Sequence, residues 1–193
     1  MFTSRNSCKP MRVLRLAILG AMQGGALLAG TAAQGADQPN KFVMTAFTGA
    51  PGGENIVSGD YRAAIEQTRG AESTDTPVAT NQCVAYTMSG QFDAARKACD
   101  TAVSSAQADR RNVGPTQLWD QQRLSETLAI AYSNRSVLDW LSHNDAAAHH
   151  DLSKAGSAAP ETPETAVVSQ NLSALNSPQH ENTVAQVMTR PLP

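Results

Sequence analysis

QCVAYTMSGQFDAARKACDTA, residues 82–102, reads as a helix, a break and a second helix. Cys83, Val84 and Tyr86 are the apolar members of a helix over Ala79–Met88. Ser89-Gly90-Gln91 interrupts it, because glycine adopts backbone conformations that end a helix at little steric cost. Phe92, Ala95, Cys99, Ala102 and Val103 then recur at helical spacing, which predicts a helix over Phe92–Ser105 with one apolar face. Most of those residues are small, so two helices joined by so short a break can pack closely.

The same pattern extends to both sides. Upstream, Asp60 can cap a helix whose apolar positions are Tyr61, Ala64, Ile65 and Thr68. Gly70 and the Ser73–Pro77 run end it. Before that, residues 37–55 are rich in Gly, Pro and Thr and read as a linker. Within them Lys41–Phe47 is a short strand or an apolar arm, and Ala50–Gly53 is a turn that leaves no room for a helix over 50–55. Downstream, Gln107–Gly114 reads as a polar loop. Thr116–Ser142 contains neither Pro nor Gly and predicts one long helix, or two with a small kink. Asn144-Asp145 opens a further helix to about Ala158, and Thr162-Pro163 opens a last one carrying Val167, Val168, Leu172 and Leu175. Residues 177–193 hold no apolar period and read as a disordered tail. The expectation is an all-α domain over residues 56–176, with disordered segments at both ends.

Internal repetition sharpens it. Gly59-Asp60-Tyr61-x-x-Ala64 and Gly90-Gln91-Phe92-x-x-Ala95 share a turn, an aromatic and an alanine at identical offsets, and Asn144-Asp145-x-x-Ala148 is a third turn followed by an alanine. Seven residues after each of these alanines stands another: Ala71, Ala102 and Ala155. With Tyr86, Ala131, Leu152 and Pro160 in place, the pattern resembles the tetratricopeptide repeat. The resemblance implies a short array of antiparallel helix hairpins, a superhelix in miniature. It implies helix-pair contacts at Ala64, Ala71, Tyr86, Ala95, Ala102, Ala131, Ala148, Leu152 and Ala155. The array is irregular: Ala64 to Ala95 is 31 residues and Ala95 to Ala148 is 53, against a regular period of about 34.

In a hairpin closed at Gly90, Cys83 and Cys99 fall at nearly one height on facing surfaces, which predicts a disulfide. Two buried free thiols are the alternative reading, since Cys packs as a small hydrophobe.

The first 36 residues resemble an export signal: a basic stretch to Arg15, an apolar run from Leu16, then small residues to Ala36. Met11 is an alternative start. The expected location is the periplasm of a Gram-negative bacterium, or the outside, with no stable membrane insertion once the leader is removed. Residues 37–193 carry 11 basic and 17 acidic groups, a formal charge of −6. That argues against nucleic acid, which is bound through basic surface.

Catalytic signals are weak. His143, His149 and His150 lack the i, i+4 spacing of helical metal ligands, and Asp120 and Glu126 read as surface charges. No cofactor or metal and no enzymatic activity is expected. The resemblance implies a protein-binding or scaffold module for a protein or peptide partner, with Thr80, Val84, Thr87, Ser133, Val137 and Trp140 on its binding face. Those residues are uncharged, which suits an apolar or neutral segment. The rival expectations are a self-associating envelope subunit, a homo-oligomer, and a histidine-based metal or small-ligand carrier.

Overall fold

The computed structural model describes residues 41–70, 74–114, 117–159, 162–163, 165–177 and 185–191. All lie within one compact unit, Asp37–Pro193. Residues 1–36, expected to be an export signal, and Ala71 lie outside the described residues.

The fold is mostly helical. Among the described residues the order is β1 (Val43–Phe47), α1 (Gly53–Val57), α2 (Tyr61–Thr68), α3 (Thr76–Met88), α4 (Phe92–Asn112), α5 (Leu118–Leu141), α6 (Asp145–Ala158), α7 (Ala166–Leu175) and β2 (Gln186–Arg190). Local chemistry sets several boundaries. Asp60 Oδ1 accepts the Ala63 N–H at 2.9 Å and starts α2, and Asn144 Oδ1 accepts the Ala147 N–H at the start of α6. Gly90, at φ 73°, closes the turn after α3.

Helices adjacent in sequence from α2 to α7 pack on one another. Small residues permit the close approach: Ala64, Ala95, Ala102, Ala131, Ala148 and Ala155 are all buried. Cys83 and Cys99 form a disulfide between α3 and α4, with their Cα atoms 4.7 Å apart. Arg135 on α5 binds Asp151 on α6 through Nε and Nη2, at 2.6 and 2.9 Å, and reaches Asp100 on α4 at 2.9 Å. These charge-assisted bonds hold three helices at one point.

Several sequence expectations need correction. Residues 37–55 are not a linker throughout: all five residues of β1 are buried, and Gly53–Val57 forms a short helix. Only glycine fits at 53, because a Cβ there would stand 2.2 Å from the Phe47 carbonyl oxygen. The loop expected over 107–114 is mostly helix, since α4 continues to Asn112. Two bonds to other helices hold that extension: Gln107 donates to the Tyr132 hydroxyl, and Asp109 accepts from Thr76 Oγ1. Phe92, expected on the inner face, is 40% exposed. The tail over 177–193 is not wholly disordered, because Gln186–Arg190 pairs with β1 in a parallel two-stranded sheet.

Candidate functional site

Asparagine is a poor residue for the middle of a helix, because its side chain competes for nearby backbone groups. Yet Asn81 on α3, Asn134 on α5 and Asn171 on α7 are each buried within a helix. Burial of a carboxamide is tolerated only with hydrogen-bond partners. All three find them on the main chain of β1.

The pairing is two-fold at each rung. The N–H of Val43 donates to Asn171 Oδ1 at 2.7 Å, and Asn171 Nδ2 donates to the Val43 carbonyl at 2.8 Å. Thr45 and Asn134 repeat this at 2.8 and 2.8 Å. Phe47 and Asn81 repeat it at 2.8 and 2.9 Å. In a strand, alternate residues present their amides to the same edge. Three carboxamides from three helices therefore read residues 43, 45 and 47 as an extended chain, with no demand on side-chain identity.

The opposite edge of β1 belongs to β2, in the register Val43↔Gln186 to Phe47↔Arg190. The ladder ends with Gln186 N–H on the Phe42 carbonyl and Thr48 N–H on the Arg190 carbonyl. In parallel pairing this gives Met44 and Ala46 to β2, so the main chain of β1 is paired on both edges.

Of the six residues expected on a binding face, Trp140 is half-buried and the other five are buried. Val84 and Val137 are fully buried in the core that contains Phe42, Met44 and Ala46. Trp140 stacks on Phe42 with ring centroids 4.2 Å apart. Ser133 Oγ accepts from Asn171 Nδ2 at 2.9 Å and so orients a carboxamide of the ladder. Thr80 and Thr87 are buried, their hydroxyls bonded to carbonyls of α3 itself. The face thus carries the chain's own apolar segment and is not an open groove.

The asparagines themselves escaped the sequence reading. Their one signal was spacing: Asn81 and Asn134 are 53 residues apart, as are Ala95 and Ala148. Asn171, 37 residues after Asn134, does not share that spacing.

The electrostatics around the ladder are local. Glu126 is not a surface charge; it is 5% exposed, accepts from Gln122 and pairs with Arg190 of β2 at 3.0 Å. Asp139, also buried, pairs with Arg96 of α4. Burial pushes the Asp139 carboxyl above its ordinary pKa, against the pull of Arg96. The bonds to Asp151 and Asp100 raise the Arg135 guanidinium above its already high value.

His143, His149 and His150 are exposed, and among the described residues no three His, Cys, Asp or Glu side chains gather as a metal site. No helix among them is long and apolar enough to cross a membrane. Compared with known proteins, the chain matches no family model, no curated protein and no solved structure.

Proposed function

We propose that this chain is an exported protein-binding or scaffold module with no chemistry of its own, built as a short, irregular tetratricopeptide-like array of antiparallel helix hairpins. The asparagine ladder carries the reading. Its carboxamides stand on every second helix, at α3, α5 and α7, and bind an extended chain through its main chain alone. An array of that kind is a rigid receptor for extended segments, and rigidity lowers the entropy lost on binding. The Cys83–Cys99 bond supports an oxidising compartment, where such bonds persist.

The test is site-specific photocrosslinking in the native host, with the crosslinker placed in turn at the exposed positions Val57, Phe92, Leu172 and Met188. Discrete adducts to another protein at some positions, on a chain whose leader has been removed, are the expected result. An intact leader and no adduct at any position would overturn the reading.

Leu118 and Trp119, 70% and 86% exposed at the start of α5, favour a second reading in which copies of the chain associate. Sedimentation across a concentration series distinguishes it.

A further inference from the structure

β1 and β2 differ in how they are held. β1 is buried along its whole length and clamped by three helices. β2 lies at the surface: Gln186, Met188 and Thr189 are exposed, and Val187 and Arg190 are half-buried. It is held by the ladder to β1, by the Arg190–Glu126 pair, by the Thr48 hydroxyl on the Arg190 carbonyl and by Val187, which packs against the core.

We propose that the outer edge of β1, together with Glu126, is a binding site for an extended, arginine-bearing segment of another protein, and that β2 is the resident stand-in for that segment. The proposal deepens the binding reading above and rests on it.

Three observations carry it. First, the asparagines fix the far edge of β1, so the amides of Met44 and Ala46 are preorganised to receive a parallel strand. Second, Glu126 is a buried carboxylate whose cationic partner comes from β2. A buried carboxylate left unpaired is strongly unfavourable, so the edge selects a strand that brings a guanidinium. Third, a cleft of about 640 Å³ opens beside Val187; Ile56, Val57, Tyr61 and Met88 give it an apolar side and Ser58 and Thr189 a polar one. A strand with a larger apolar residue at that place, three before the arginine, fills space that valine leaves. The ligand is therefore an extended segment with a bulky apolar residue followed, three positions on, by arginine.

The experiment uses the full chain and a fluorescent synthetic peptide, Ala-Gln-Val-Met-Thr-Arg-Pro, which copies residues 185–191. A resident strand lowers apparent affinity by the fraction of sites it occupies. Arg190→Glu sets a carboxylate against Glu126 and frees the edge, so this variant binds the peptide more tightly than the original chain, by about tenfold or more. A peptide with glutamate in place of its arginine binds neither protein. Should Arg190→Glu lose its circular dichroism signature of folding, Arg190→Ala replaces it with the same expectation.

A folded variant that binds the peptide no better than the original chain overturns the proposal, and so does indifference to the peptide's arginine. If either occurs while photocrosslinks form at Phe92 or Leu172, the binding reading stands and only this site falls. Adducts from Met188 to a second copy of the chain would assign the edge to self-association and also overturn it.

Discussion

Asn134 and Thr45, 89 residues apart in sequence, close a ring of two hydrogen bonds in which each is both donor and acceptor. The ring joins the middle of α5 to the middle of β1. Asn134→Ala leaves a buried N–H and a buried C=O unpaired, each worth about 1–3 kcal/mol. The expected loss is therefore about 2–6 kcal/mol in urea unfolding. A loss below about 1 kcal/mol would mean that water or another side chain replaces the carboxamide.

The disulfide between Cys83 and Cys99 spans 16 residues and restricts the unfolded chain. Replacing both with alanine lowers stability by about 3 kcal/mol in the chain-entropy account. Equal unfolding midpoints for the oxidised chain and the double variant would show that the bond adds nothing.

Arg135→Ala removes the partner of Asp151, whose side chain is 4% exposed. Breaking one side of a buried pair costs about 3–5 kcal/mol, because the remaining charge stays desolvated. Arg135→Lys recovers only part, since a point charge does not reproduce the two-bond contact. Full recovery by lysine in thermal unfolding would contradict this account.

Asp139 sets a pH dependence. Burial raises its pKa in the folded chain, so the folded state holds that proton more tightly than the unfolded state. Its favourable contribution is complete at pH below the unfolded value and is lost as pH rises through the folded value. Acidification from neutrality towards about pH 4.5 therefore stabilises the original chain relative to Asp139→Asn. Unfolding free energies of the two proteins across that range measure the effect. The opposite slope would mean that the Arg96 pair outweighs burial.

Gly53→Ala forces a Cβ against the Phe47 carbonyl, where the obstacle is backbone and not a flexible side chain. α1 must then move away from β1, with an expected loss of about 1–3 kcal/mol in urea unfolding. A change within about 0.5 kcal/mol would show that the turn between β1 and α1 yields freely.

Helices α2 to α6 are legible in the sequence because each repeats apolar residues at the helical period over two turns or more. Tyr61, Ala64, Ile65 and Thr68 need no knowledge of what they pack on. The disulfide partners were legible for a related reason: a helix hairpin turning at Gly90 sets Cys83 and Cys99 at one height. β1 was legible only as an apolar run, since FVMTAF has no partner strand nearby and its mate β2 begins 139 residues after Phe47. Glu126 was misread because a carboxylate on a long helix looks solvated unless Arg190 is known to reach it.

The sequence by itself determined where helices α2 to α7 run, apart from the far end of α4, where small residues let them approach, and which cysteines can join. Those properties depend on side-chain period and chain geometry over some 30 residues. Only the tertiary structure decided what the inner face holds. Asn81, Asn134 and Asn171 are ordinary polar residues until three helices bring their carboxamides to the main chain of one strand. The partner there is backbone, which every residue carries, so no pattern of side chains in β1 marks it in advance.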